Sequence, residues 1–162
     1  FRVMEVYRQI ATEIADQLSD VPSLVVLQAG VGGLAAAVAA QLRLAWGDPP
    51  QMIVVEPEAA LALIESIRAG KVVVTEGPVS AMGRLDCKTP SMLALADLAR
   101  DVDRFVTLTE AEAAAGAEAV AAVGLPSTPS GSAGVAALLA GLDGVGPQSH
   151  VLCILSEGPD DA

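Results

Sequence analysis

Apolar positions along this chain switch repeatedly between two spacings. Between Met4 and Leu18 they recur at Val6, Ile10, Ile14 and Leu18, the stripe of a helix. Pro22 ends that element, and Leu24–Leu27 is an unbroken apolar run of strand length. Clustered glycines follow, and an Ala/Leu-rich helical run then extends to about Trp46, where Gly47-Asp48-Pro49-Pro50 stops it. Met52–Val55 reads as a second strand ending at Glu56-Pro57, and a helix from about Glu58 to Ala69 is closed by Gly70. Val72–Val74 reads as a short strand, followed by an irregular segment through Gly77-Pro78, Gly83 and Thr89-Pro90. Ser91 is an N-cap for a helix reaching Arg100. Phe105–Leu108 is a further strand, and Thr109 with Glu112 forms the capping box of the next helix. Leu125–Gly131 is a Pro/Ser-containing loop; a helix from Gly131 to about Leu142 and a strand over His150–Leu155 complete the pattern.

Strands alternating with helices predict the α/β class, a parallel sheet with crossover helices, in one domain over residues 1–162. Ligands of such sheets lie beyond the carboxyl ends of the strands. Ala29–Gly33, Glu56-Pro57 and Ser156-Glu157-Gly158 are the loops so placed. The chain carries no internal repeat.

Composition narrows the possible partners. Net charge is −11, with 9 Lys+Arg against 20 Asp+Glu, and aromatic residues make up 2%. Without a basic stripe or stacking platform, neither nucleic acid nor an anionic membrane is an expected partner. Residues 21–42 carry no charge, but glycines and Gln28 divide them and alanine dominates the second half, which disfavours a membrane span. No basic flank or cleavage pattern marks a signal peptide, and the expected location is cytoplasmic. Cys87 and Cys153 are too few for a disulfide framework or a metal cluster and read as reduced, buried thiols.

The glycine turn carries the chemistry. A strand ending in Gly30-Val31-Gly32-Gly33 and opening at once into a helix leaves unpaired backbone N–H groups at the positive end of the helix dipole. That is a phosphate cradle, and glycine lets the phosphate approach the backbone. Taken alone, Gly30-Val31-Gly32-Gly33-Leu34-Ala35 also satisfies the relaxed dinucleotide fingerprint, with Glu56 near the place of a ribose-binding acid. A helix preceding the motif and Pro57 after the acid fit that reading poorly. No Gly-Lys-Ser/Thr follows, which excludes a P-loop.

Several further segments accompany the turn: Ile-Val-Val-Glu-Pro at 53–57, Met-Gly-Arg-Leu-Asp-Cys-Lys-Thr-Pro-Ser at 82–91, Pro-Ser-Gly-Ser-Ala-Gly at 129–134 and Ile-Leu-Ser-Glu-Gly at 154–158. With Gln-Ala-Gly-Val-Gly-Gly at 28–33, and in that order, they resemble the C-terminal part of the diaminopropionate ammonia-lyase family. That family lies within the fold-type-II pyridoxal-phosphate enzymes, which include threonine dehydratase and cysteine synthase. The resemblance implies that Gly30, Val31, Gly32, Gly33 and Leu34 hold the phosphate of pyridoxal 5′-phosphate. It also implies a neutral hydroxyl partner for the pyridine nitrogen, for which Ser156 is the first candidate and Ser130 the second. A turn role for Ser156 and an N-cap role for Ser130 are the structural alternatives.

The resemblance further implies a lysine that binds the cofactor aldehyde, and here it finds none. Lys71 follows a helix-ending glycine, and Lys88 lies outside the family's lysine motif. In the family that lysine lies far upstream, so Phe1 reads as a cut edge and the chain as the C-terminal part of a two-lobed enzyme, inactive alone. The parent activity so implied is α,β-elimination of diaminopropionate or a similar small amino acid to an α-keto acid and ammonia. Threonine/serine dehydratase activity and a nucleotide-binding Rossmann domain are the alternatives. The implied partners are the missing N-terminal portion, the amino-acid substrate and a second copy in a homodimer. His150, Glu110, Glu112 and Glu118 read as structural or solvated residues, Arg84 and Asp86 as local ion-pair formers with substrate contact as the alternative, and Glu56 either as a cofactor or substrate contact or as a strand end near a helix N-terminus.

Overall fold

The computed structural model describes residues 2–159. Helix α1 (Arg2–Gln17) leads into β1 (Leu24–Gln28), α2 (Gly33–Trp46), β2 (Gln51–Pro57) and α3 (Ala62–Ala69). After a long irregular segment come α4 (Met92–Asp101), β3 (Arg104–Leu108), α5 (Glu110–Ala122), α6 (Ala133–Gly141) and β4 (Val151–Cys153). Among the described residues the strands form one parallel sheet in the order β3-β2-β1-β4. The α/β expectation is met.

The sheet is covered on both faces, as its apolar runs require. Val25 and Leu27 of β1, with Met52 and Val54 of β2, face a core shared with α1, α2 and α4. The alternate residues Leu24, Val26, Ile53 and Val55 face α5 and α6. Gly116 lets α5 and α6 cross closely, since a Cβ there would lie 2.3 Å from that of Ala136. Successive strands run outward from β1 to β3, and the chain then returns to place β4 on the other side of β1. This reversal opens a crevice at the carboxyl ends of β1 and β4.

Several elements differ from their predicted extents. The α1 face turned to the core carries Met4, Ala11, Ile14 and Ala15, whereas Val6 is 67% exposed. Small Ala11 permits close approach to α2, and close packing rather than side-chain size selects that face. Val72–Val74 forms no strand: the Val73 N–H donates to Ser66 Oγ at 2.9 Å instead of to a neighbouring strand. Helix α3 starts at Ala62 rather than Glu58, because the Ala60 N–H turns back to the Pro57 carbonyl. Strand β4 ends at Cys153, after which the Ser156 N–H bonds the Gly131 carbonyl. Helix α6 starts at Ala133, two residues after Gly131. The Ser91 cap and the Thr109–Glu112 capping box form as predicted. Glu118 is exposed, but Glu110 is tied down, accepting from Ser80 Oγ at 2.6 Å and from the Ala81 N–H at 2.8 Å. His150 is exposed and acts through its backbone carbonyl, which accepts from the Ser23 and Leu24 N–H groups. Cys87 and Cys153 are free thiols, half-buried rather than fully enclosed. No described helix is long and apolar enough to cross a membrane. Phe1, read above as a cut edge, lies outside the described residues.

Candidate functional site

At the carboxyl ends of β1 and β4 lies a cavity of about 420 Å³. Gly30, Val31, Gly32, Gly33 and Leu34 line it together with Ser130 and Ser156. Residues about a hundred positions apart in sequence thus meet, because β4 returns beside β1 and α6 starts beneath it.

The glycine turn has its shape for identifiable reasons. Gly32 adopts φ +94°, a left-handed conformation that side chains disfavour, and it caps α2. Gly30 is pressed on the 84–87 segment, where a Cβ would lie 2.9 Å from both the Arg84 carbonyl oxygen and Cys87 Sγ. Among the described residues a Cβ on Gly33 would meet nothing within 4 Å, so this position opens on free space. The first α-helical bond here runs from the Ala36 N–H to the Gly32 carbonyl. Among the described residues, the N–H groups of Gly32, Gly33 and Leu34 therefore have no acceptor. They remain available to an anion at the positive end of α2.

The cavity also carries neutral hydroxyls. Ser130 is buried, and its Oγ accepts from the Arg84 N–H at 3.2 Å. It is not the N-cap of α6, a position held by Ser132 without a side-chain cap bond. Ser156 follows β4, and its Oγ accepts from Gln28 Nε2 at 2.9 Å. Glu157 also lines the cavity, pairing with Arg84 Nε at 2.8 Å and accepting from Thr128 Oγ1.

Gln28, read from sequence only as a polar break, is 2% exposed and central to the site. Its Nε2 also lies 2.9 Å from the Gly131 carbonyl oxygen and 3.0 Å from that of Ile154. Its Oε1 is buried without a hydrogen-bond partner among the described residues, a condition that costs about 1–3 kcal/mol. Cys87, read from sequence only as a buried thiol, also lines the cavity. Its sulfur lies against the glycine turn, and burial pushes its pKa up, so it is a poor nucleophile at neutral pH.

Glu56, the sequence candidate for a ribose or substrate contact, serves the fold. It is fully buried, and its two carboxylate oxygens accept from the Leu63 and Ile64 N–H groups at 2.8 and 2.7 Å. Burial raises its pKa to about 7, against the lowering effect of those two bonds. Both oxygens are thereby committed to α3, which removes the acid that the dinucleotide reading needs. Asp86 pairs with Lys88, whose Nζ also donates to the Ala59 and Pro78 carbonyls. Lys71 is exposed, in a separate groove beside α3 and α4. Neither lysine lines the cavity.

The residues present fit a phosphorylated pyridine: free amides where glycine leaves space, neutral hydroxyls in the same cavity, and an orphaned amide oxygen nearby. The family model for pyridoxal-phosphate dependent enzymes matches residues 2–157. The biosynthetic L-threonine dehydratase of Mycobacterium tuberculosis is 30% identical over 156 residues, covering 94% of this chain and 35% of that protein. The chain thus spans about a third of the length of that curated relative. Among solved structures, the threonine deaminase of T.th. superposes with TM-score 0.89 at 22% identity, over 99% of this chain and 58% of that one. Diaminopropionate ammonia lyase from Escherichia coli superposes with TM-score 0.85 at 26% identity, over 96% of this chain and 45% of that one. With a fold-type-II sheet and a family match over nearly its whole length, the chain belongs to the pyridoxal-phosphate dependent enzymes.

Proposed function

We propose that this chain supplies the phosphate-binding and ring-binding half of an ammonia-releasing enzyme that acts on a small β-substituted amino acid. Threonine or serine is the leading substrate class, supported by the threonine dehydratase relative. Diaminopropionate is the second reading, supported by the likeness to the Escherichia coli lyase. The observation that carries the proposal is one cavity joining the free amides of Gly32–Leu34 to the hydroxyls of Ser130 and Ser156.

In this reading the amides of Gly32, Gly33 and Leu34 anchor the cofactor phosphate, helped by the α2 dipole. Gly30 and Val31 shape the turn. Ser156 faces the ring nitrogen as a neutral donor, and Ser130 is the alternative. When bound, pyridoxal phosphate supplies an aldehyde for the substrate amine and an electron-withdrawing ring. The overall change removes the α-proton and the β-substituent, and hydrolysis yields an α-keto acid and ammonia. A lysine from outside this chain's cavity must hold the aldehyde and move the α-proton, because Lys88 is engaged elsewhere and Lys71 is distant. The lysine-bearing portion, the amino acid and a second copy of the chain are the proposed partners.

Equilibrium titration tests the site. The chain is expected to bind pyridoxal 5′-phosphate reversibly, to bind unphosphorylated pyridoxal far more weakly, and to ignore NAD. It is expected to release no α-keto acid from threonine, serine or diaminopropionate until the lysine-bearing portion is supplied. Equal affinity for pyridoxal with and without phosphate would refute the cradle. Turnover by the chain alone would refute the division of roles.

A further inference from the structure

The Gln28 amide faces a cluster of acceptors. Its nitrogen lies 2.9 Å from the Gly131 carbonyl oxygen, 3.0 Å from that of Ile154 and 2.9 Å from Ser156 Oγ. Carbonyl oxygens can only accept, so they fix which end of the amide points at them. A half-turn of the amide would set Oε1 against two carbonyls and lose both bonds. With nitrogen in place, Ser156 has one possible relation to it. The amide has two protons for three acceptors, so Ser156 Oγ shares one of them with a carbonyl; the amide nitrogen has no free lone pair, so the serine oxygen can only accept. Accepting commits a lone pair and leaves the single hydroxyl proton unassigned. Among the described residues no group receives a hydrogen bond from Ser156 Oγ, and Ser156 lines the cavity.

We propose that Gln28 is a positioning residue that takes the Ser156 lone pair and so presets the Ser156 hydroxyl proton as a donor into the cavity, toward an unprotonated ring nitrogen. The inference rests on the reading of Ser156 as the ring-nitrogen partner. Packing around the amide favours a fixed orientation. Gly134 leaves room for Oε1, since a Cβ there would lie 3.1 Å from it and 3.1 Å from the Val26 carbonyl oxygen. An unpartnered, buried Oε1 persists beside this arrangement. Ser130 is held as an acceptor too, but by a backbone N–H that no side-chain change removes. The two serines are therefore separable by mutation.

A double-mutant cycle on pyridoxal 5′-phosphate affinity tests the proposal, using the chain, Gln28→Met, Ser156→Ala and the double variant. Thermal melts establish that each variant is folded. Losing one neutral hydrogen bond is expected to weaken binding by about 2- to 10-fold, so Ser156→Ala falls in that range. Gln28→Met is expected to weaken binding similarly, and to add less than about 2-fold in the Ser156→Ala background. A Gln28 that only ties segments together would cost the same in both backgrounds, and that result overturns the proposal. Unchanged affinity in Ser156→Ala overturns the ring-nitrogen reading of Ser156 and this inference with it. The two failures are distinct. If Gln28→Met melts early, the side-chain amide signals of Gln28 carry the test: pyridoxal 5′-phosphate is expected to shift them in the parent chain and to leave them unmoved in Ser156→Ala, and an equal shift in both proteins overturns the proposal.

Discussion

Gly33→Asp separates binding from folding more cleanly than any other change in the cradle. A Cβ at Gly33 meets nothing within 4 Å, whereas one at Gly32 would lie 3.0 Å from Leu98 Cδ1 and 3.1 Å from Ala94 Cβ in a left-handed backbone. The same substitution at Gly32 would therefore damage the core. Gly33 opens α2, and an acidic side chain in a helix's first turn contributes about 0.3–1 kcal/mol of stability. A melting temperature equal to that of the parent, or up to about 3 °C above it, is expected. The same carboxylate stands where the phosphate is proposed to lie. Like unit charges in contact near a protein surface repel by about 4 kcal/mol, and half of that still corresponds to a loss of about 30-fold in affinity. Titration of the folded variant with pyridoxal 5′-phosphate is therefore expected to show at least that loss. Undiminished affinity in a folded Gly33→Asp protein would refute the placement of the phosphate. A collapse in melting temperature would refute the reading of Gly33 as open space.

Two further changes test the scaffold. The Glu56 pKa is raised from 4.5 to about 7 by burial. Its stabilising contribution is therefore full below about pH 4.5 and lost as pH rises through about 7, a change on the order of 3 kcal/mol. Across pH 5–8 the difference in melting temperature between the parent and Glu56→Gln is expected to shift against the parent; a constant difference would contradict the raised pKa. Gly116→Ala drives a Cβ to 2.3 Å from that of Ala136, and denaturant unfolding is expected to show a loss of about 1–3 kcal/mol despite the gain in helix propensity. An unchanged unfolding midpoint would contradict the close α5–α6 crossing.

Sheet and cradle were legible because their signals are local. Val25-Val26-Leu27 and Ile53-Val54-Val55 must be buried on both faces, and the glycines directly before an Ala/Leu run mark a helix start. Val72–Val74 misled because β-propensity records a fit to a pleated surface and not the presence of a neighbour; the Val73 N–H found Ser66 instead. Glu56 was ambiguous because the end of a strand does not say which helix its carboxylate will meet, and α3 starts later than its pattern suggests. Gln28 was missed for a different reason. Its partners Gly131, Ile154 and Ser156 lie more than a hundred residues away, and no spacing in the sequence announces them. Ser130 and Ser156 are candidates through resemblance to a family, and only the return of β4 beside β1 brings them to one cavity.

The most direct test of the central claim is an amide NMR titration of the chain with pyridoxal 5′-phosphate. The account predicts the largest shifts at Gly32, Gly33 and Leu34, with further shifts at Ser130 and Ser156. Shifts confined to the groove beside Lys71 and Met92, with the glycine turn unmoved, would contradict it.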